Sequence, residues 1–345
     1  MNCNGVFNKS GSYCRYFTDE LSTLTHKVKS IYNSNYAYVF NSGLNANYVS
    51  IDILLGQSKD SIIIYPSESY FENIQIIQYI KKIYKIEIYE FDILNTFQLY
   101  KLLNLPQHKI LFLESCMNPS GYIFDFSLIN EIKQYNTSII IDNTWLSGHI
   151  FNPLINVGAD IVTESITKYY SANTEIAGIS VFNNDNYNNL FDEYIRFTGL
   201  HISPVVIETI NGQINNIIMR LHKISNLVIY TINYLLNNNI KCVHPCLIDH
   251  PSCYNYYKYF NNKYIVGTFL IGFNCDKDNI IKMMNKIKIF EIKSSFCYCK
   301  TIINKTIYKI KNSNLNFIRL SIGYDDDYHN IICGINELMY MLNII

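Results

Sequence analysis

The chain has 345 residues, and its 28 Lys+Arg balance 28 Asp+Glu to a formal net charge of +0. That length suggests two domains, while zero net charge removes the basic footprint of a nucleic-acid binder. No apolar run approaches the roughly 18 residues of a membrane span, and the opening Met1-Asn2-Cys3-Asn4-Gly5 has neither the basic nor the apolar region of a secretory signal. A soluble, cytoplasmic protein is the expectation, with no nucleic-acid and no membrane partner. Charged residues are 16% of the chain, below the roughly 25% of an average domain. The 30 tyrosines, with abundant Asn and Ile, make up the difference, and such a neutral surface offers little charge repulsion against association.

From about residue 60 to 185, short β-branched runs alternate with helix-length segments. Strands are expected over 61–65, 86–90, 110–113, 138–142, 160–163 and 176–182, and helices over 71–83, 95–103 and 126–135. Near-continuous apolar strands between helices indicate a mostly parallel sheet covered on both faces, with function at the carboxyl ends of its strands. Apolar residues then recur at helical spacing over 207–236. Strands over 264–273, 288–292 and 316–322 with intervening helices make a smaller α+β tail.

Ten cysteines in a chain without a recognisable signal suggest buried or free thiols more than a disulfide framework. Cys242, His244, Cys246, His250 and Cys253 are all of zinc-ligand type. They form no C-x2-C knuckle, and Pro245 and Pro251 interrupt them, so the expectation is an ordinary loop and no metal. Cys297-Tyr298-Cys299 is read as alternation on a strand.

Four features stand where such a sheet places a ligand. Asn41-Ser42-Gly43-Leu44-Asn45-Ala46 is a small-residue turn opening a helix, an anion site by virtue of its backbone N–H groups. Asp142 ends an Ile-rich strand, where a helix cap is the ordinary reading and a carboxylate facing the crevice the functional one. Ser165-Ile166-Thr167-Lys168-Tyr169 offers two hydroxyls and an amine that can form a Schiff base, against the ordinary reading of a solvated lysine. Arg319, inside the apolar run Phe317 to Gly323, needs an acidic or phosphate partner if it is buried.

In this order, from about Tyr13 to the C-terminus, the chain resembles the Cys/Met-metabolism PLP-dependent enzymes: cystathionine γ-synthase, cystathionine γ-lyase, cystathionine β-lyase and methionine γ-lyase. The resemblance is densest in Glu114-Ser115-Cys116-Met117-Asn118-Pro119, Ile141 to Ser147, Gly158 to Val162 with Ser165 to Tyr169, and Ile318 to Gly323. It implies an α/β architecture, PLP-dependent transferase fold type I: a mostly parallel seven-stranded sheet between helices plus a smaller α+β C-terminal domain. The implied organisation is an arm over 1–25 reaching a neighbouring subunit, a large cofactor domain over 26–225 and a small domain over 226–345.

The resemblance also implies roles. Lys168 would bind pyridoxal 5'-phosphate covalently and later move protons, and Asp142 would pair with the pyridine nitrogen. Ser165, Thr167, Gly43 and Leu44 would cradle the phosphate, and Tyr70 would stack on the ring. Asn118 would lie near the phenolic oxygen, and Arg319, assisted by Ser295, would clamp the substrate α-carboxylate. Tyr13 and Arg15 match the family's Tyr-x-Arg, which contacts a neighbouring subunit's cofactor, so a homo-oligomer (dimer or tetramer) with shared active sites is implied. Tyr70 and Tyr13 are the implied proton carriers. The substrate would be a sulfur amino acid, undergoing γ-elimination or γ-replacement, with β-lyase or methionine γ-lyase chemistry as the alternative.

Several departures accompany the resemblance. Phe17-Thr18-Asp19 replaces Gly-Asn-Pro, Phe71 and Glu72 replace two small residues, Ala172-Asn173-Thr174-Glu175 replaces Gly-His-Ser-Asp, and Ser295-Phe296-Cys297-Tyr298 replaces Ser-Leu-Gly-Gly. Ser294 stands where the cystathionine enzymes often carry Glu. The lost glycines motivate a reading of another class, a non-catalytic relative with a structural or regulatory role.

Overall fold

The β-branched runs form strands whose side chains are buried on both faces. Ile62, Ile63 and Ile64, Ile110 to Leu113, and Ile139, Ile140 and Ile141 are all nearly inaccessible, as a sheet covered by helices on both sides requires. The computed structural model describes residues 18–311 and 313–342. They fold as two compact units: the described residues through 117 together with 123–215, and 118–122 together with the described residues from 216 onward. The division at 215/216 lies ten residues before the boundary expected from sequence.

The first unit holds strands β1 (Tyr36–Phe40), β2 (Ser61–Pro66), β3 (Ile88–Phe91), β4 (His108–Glu114), β5 (Thr137–Asp142), β6 (Ile161–Glu164) and β7 (Gly178–Phe182), in spatial order β1-β7-β6-β5-β4-β2-β3. Strands β2 to β6 run parallel, and β7 is antiparallel to β6 and to β1. Its helices are α1 (Asp19–Tyr32), α2 (Gly43–Leu55), α3 (Phe71–Tyr84), α4 (Thr96–Leu103), α5 (Ile129–Ile132), α6 (Pro153–Asn156), α7 (Asp185–Thr198) and α8 (Pro204–Ile214). Helix α2 is apolar nearly all round, burying Ala46, Val49, Ile51, Ile53, Leu54 and Leu55, as befits a helix enclosed by the core. The register pairs Glu114 with Asp142 and Asp142 with Thr163, which aligns the carboxyl ends of β4, β5 and β6.

The second unit carries α9 (Ile217–Asn237), α10 (Cys253–Tyr259), α11 (Lys277–Met284) and α12 (Tyr328–Met341) with a five-stranded sheet. Its strands are β8 (Cys242–Val243), β9 (Thr268–Phe273), β10 (Glu291–Ile292), β11 (Ile302–Tyr308) and β12 (Asn316–Ser321), in order β10-β11-β12-β9-β8. All its pairings are antiparallel except β10 with β11.

Some expectations need correction. The helical stretch over 207–236 is two helices, broken at Asn215 and Asn216, which serve as the C-cap of α8 and the N-cap of α9. Asparagine is a weaker helix former than the residues around it, and here the Asn215 side chain accepts from Lys27 Nζ (3.1 Å) while Asn216 makes no side-chain cap bond. The helix over 126–135 is a short α-helical turn between two 3-10 turns. The strand over 288–292 shrinks to the exposed pair Glu291–Ile292. Cys297 and Cys299 lie on irregular backbone between β10 and β11, not on a strand. Strands β1, β8 and β11 are not expected from sequence. Strands β1 and β11 each have a partly exposed face that blurs the apolar pattern, and β8 is a two-residue strand at the start of the stretch read as a loop, whose last cysteine, Cys253, opens α10. Among the described residues no helix is long and apolar enough to cross a membrane.

Candidate active site

Three neighbouring strands of the first unit end on an acid at the carboxyl edge of the sheet: β4 on Glu114, β5 on Asp142 and β6 on Glu164. All three side chains are buried, and each is held differently. Asp142 accepts four hydrogen bonds. Oδ1 takes the Thr144 N–H (3.0 Å) and O–H (2.5 Å), and Oδ2 takes Nδ2 of Asn47 (2.8 Å) and of Asn73 (3.1 Å). Four donors aimed at one carboxyl suit a carboxylate.

Glu114 receives the Tyr70 N–H (2.6 Å) and Asn73 Nδ2 (2.9 Å) on Oε1. Burial, reinforced by the charge of Asp142, pushes its carboxyl up to about 8. Glu164 accepts the hydroxyls of Tyr32 (2.5 Å) and Tyr170 (3.1 Å) on Oε2, and burial raises its carboxyl well above the ordinary range. Glu164 thereby ties the end of α1 and the segment after Lys168 to the end of β6.

The lysine stands in the turn that follows β6. Its backbone N–H donates to the Ser165 carbonyl at 3.3 Å, and the turn is anchored on both sides of the half-buried Lys168 by the buried Ile166, Tyr169 and Tyr170. The Tyr169 hydroxyl donates to the Trp145 carbonyl (3.1 Å). Thr144 joins this turn to Asp142, because its hydroxyl donates to Asp142 and accepts the Ser165 N–H (2.8 Å). The Thr167 hydroxyl donates to the Ala177 carbonyl (3.2 Å) and accepts the Ala177 N–H (3.0 Å), closing the loop that leads into β7.

Ser42 caps α2, its side chain accepting the Asn45 N–H at 3.1 Å. The Gly43 and Leu44 N–H groups lie in the first turn, where no helical carbonyl precedes them to accept. Helix α2 starts pressed against Ser165 and β7. A Cβ at Gly43 would fall 2.5 Å from Ser165 Cβ, and one at Gly178 would fall 2.3 Å from the Ser42 carbonyl oxygen. Glycine at both positions leaves a concave turn of N–H groups beside the Ser165 hydroxyl, which fits a phosphate. Tyr70 is the N-cap of α3, with its ring 41% exposed, and Phe71 beside it is 65% exposed.

In the second unit, Arg319 lies buried on β12. Nη1 donates to Asn118 Oδ1 (3.0 Å), and Nη2 donates to the carbonyls of Ser294 (2.8 Å) and Ser295 (2.9 Å). These acceptors are neutral: they orient the guanidinium fork without contributing a negative charge. Ser295 therefore assists Arg319 through its backbone, while its hydroxyl turns to the Phe296 carbonyl (3.4 Å).

The glycine-poor loops keep left-handed backbone. Ala172 has φ 55°, Asn173 φ 60° and Cys297 φ 56°, so Ala172 and Cys297 occupy a conformation natural to the glycines they replace. Tyr13 and Arg15 lie outside the described residues. Among the described residues no group of three or more ligand-type side chains is gathered for a metal. His244 accepts the Cys246 N–H on Nδ1 (3.1 Å) and lies 3.0 Å from the Val266 carbonyl through Nε2, and burial pushes it down to about 4. His250 likewise accepts the Ser252 N–H on Nδ1, with Nε2 at 2.9 Å from the Ser120 carbonyl.

Sequence reading missed Asn47, Asn73 and the structural part played by Glu164. The one signal that pointed to the acids was their place at the end of apolar strands.

This fold, with a phosphate cradle, a buried carboxylate and a lysine at one sheet edge, defines a fold-type I pyridoxal-phosphate architecture. The model of the Cys/Met metabolism PLP-dependent enzymes matches residues 5–342, and the chain belongs to that family. It is 27% identical to a cystathionine beta-lyase of Neurospora crassa over 71% of this chain and 54% of that one. It is 32% identical to an L-methionine gamma-lyase of Treponema denticola over 28% of this chain and 23% of that one. The chain thus spans about half the length of the first relative and about a quarter of the second. In fold it matches the crystal structure of metB from Corynebacterium glutamicum, with TM-score 0.86 and 18% identity, over 99% of this chain and 90% of that one. Pyridoxal 5'-phosphate is the cofactor of the family, and the residues at the sheet edge of the first unit fit it.

Proposed function

We propose that the protein is a cytoplasmic trans-sulfuration enzyme that eliminates or replaces the γ-substituent of a sulfur amino acid, as a cystathionine γ-lyase or γ-synthase does. The observation that carries this reading is the edge-on array of Asp142, Thr144 and Ser165, which joins the expected ring-nitrogen partner to the phosphate cradle and the Lys168 turn. Gly43, Leu44 and Ser165 would hold the phosphate, Asp142 the ring nitrogen, Tyr70 the ring face and Asn118 the phenolic oxygen. Thr167, expected from sequence in the cradle, has its hydroxyl hydrogen spent on the Ala177 carbonyl and shapes the turn instead. When bound, pyridoxal phosphate supplies an electrophilic carbonyl for the substrate amine and an electron sink for the carbon beside it.

The chain's own groups do the rest. The Arg319 guanidinium attracts the α-carboxylate by its charge, both Nη2 hydrogens being already given to the Ser294 and Ser295 carbonyls, and Lys168 Nζ removes the α-proton as a base. Tyr70 and the neighbouring subunit's Tyr13 carry protons to the leaving group, in a homo-oligomer that shares sites through Tyr13 and Arg15. A β-lyase or methionine γ-lyase reading is favoured at one point: Ser294 lacks the acid that would greet a distal amine, and a cystathionine beta-lyase is among the relatives.

The test is the visible spectrum of the purified protein before and after L-cystathionine. A cofactor band that shifts, with 2-oxobutanoate released, supports γ chemistry, and pyruvate supports the β-lyase. A colourless protein that cannot be reconstituted with pyridoxal phosphate overturns the enzyme and leaves the non-catalytic relative.

A further inference from the structure

Behind Asp142 lie two buried asparagines on different helices, Asn47 on α2 and Asn73 in the first turn of α3. The Thr163 hydroxyl donates to Asn47 Oδ1 (2.5 Å), which fixes which way that amide points. Asn47 Nδ2 then donates to Asn73 Oδ1 (2.9 Å) and Asp142 Oδ2 (2.8 Å). Asn73 Nδ2 spends its two hydrogens on Asp142 Oδ2 (3.1 Å) and Glu114 Oε1 (2.9 Å). Every N–H of both amides is used, so neither amide can rotate without stranding a buried donor. The chain of bonds ends at the backbone of Tyr70, whose N–H shares Glu114 Oε1 with Asn73.

Two acceptors on the two hydrogens of one –NH2 group lie about 5 Å apart. Asn73 therefore spaces two buried carboxyls and keeps a donor between them. Through one it fixes Asp142, and through the other it fixes the start of α3, where Tyr70 sits.

We propose that Asn73 is a positioning residue for the cofactor, locked by Asn47, that sets Asp142 and Tyr70 in register with one another through a single amide. The proposal rests on the reading of Asp142 as the ring-nitrogen partner and of Tyr70 as the residue covering the ring face. Its consequence is that the two cofactor contacts are coupled: losing the amide loosens both, Asp142 directly and Tyr70 through Glu114.

The experiment titrates cofactor-free protein with pyridoxal phosphate and records affinity together with the visible circular dichroism of the bound chromophore, which reports how firmly the ring is held. Asn73→Leu removes both donors and is expected to weaken affinity by about tenfold or more, the effect of losing a hydrogen bond to a charged group, and to diminish the dichroism. Glu114→Leu, which leaves Asn73 in place but cuts its link to Tyr70, is expected to diminish the dichroism, and Glu114→Gln, which keeps an oxygen for the same two N–H groups, to preserve it, a split that a packing defect at Asn73 alone would not produce. Where thermal unfolding shows that Asn73→Leu does not fold, Asn73→Ser is read in its place.

Asn73→Leu with wild-type affinity and dichroism, while Asp142→Asn loses the cofactor, overturns the proposal and leaves the reading of Asp142 standing. Wild-type behaviour in both variants overturns the reading as well.

Discussion

Glu114 gives the sharpest quantitative expectation. It is 5% exposed, and burial beside Asp142 pushes its carboxyl from an ordinary 4.5 to about 8. Because the folded value lies above the unfolded one, the folded protein holds the extra proton. Stability is then greatest below the unfolded value and declines as pH rises through about 8. Integrating the linkage from pH 6 to pH 9 gives a loss on the order of 2–3 kcal/mol from this one group. Glu114→Gln carries the same hydrogen-bond acceptor without the ionisation and should not lose that increment. The assay is urea unfolding of the cofactor-free protein at intervals between pH 6 and 9, comparing wild type with the variant. Other groups titrate in both proteins, so the difference isolates Glu114. Parallel pH profiles would refute the placement of a neutral acid beside Asp142.

Three further outcomes are expected. Thr144→Val keeps the shape but removes the hydroxyl that joins Asp142 to the Ser165 N–H; losing a hydrogen bond to a charged group predicts about 2 kcal/mol less binding energy for pyridoxal phosphate, checked by equilibrium titration. His244, buried neutral and pushed down to about 4, stabilises the fold above the ordinary histidine value of about 6.5, and that contribution is lost as pH falls toward 4. Urea midpoints should therefore drop more steeply between pH 7 and pH 5 in wild type than in His244→Asn, by the equivalent of about 2 kcal/mol. Ala172→Gly, at a φ of 55°, should raise stability by about 1 kcal/mol, seen as a higher thermal midpoint at equal cofactor content; a lower midpoint would mean that the side chain's packing outweighs the backbone strain.

Much of the site was legible along the chain because its elements are local. An Ile-rich run ending at Asp142, a small-residue turn at Ser42 to Leu44 and the segment Ser165 to Tyr169 each encode one strand end or helix start, and those ends are where an α/β sheet binds ligands. Burial of Arg319 followed from its place in an apolar strand. The lost glycines were also visible as substitutions. Only the backbone could show that Ala172 and Cys297 retain the left-handed conformation, since a residue name does not report its φ.

By itself the sequence determined which segments become strands of a covered parallel sheet, which acid and lysine stand at or just after their ends, and that Arg319 lies inside an apolar strand of the C-terminal part, because hydrophobic period and strand-end position are short-range properties. Only the tertiary structure decided what those groups are bonded to. Asn47 and Asn73 lie 26 residues apart on separate helices, and they meet Asp142 69 or more residues further along the chain. An asparagine in a helical segment reads from sequence as a surface or cap residue. The fold buries both amides behind one carboxylate, and a buried amide must find partners.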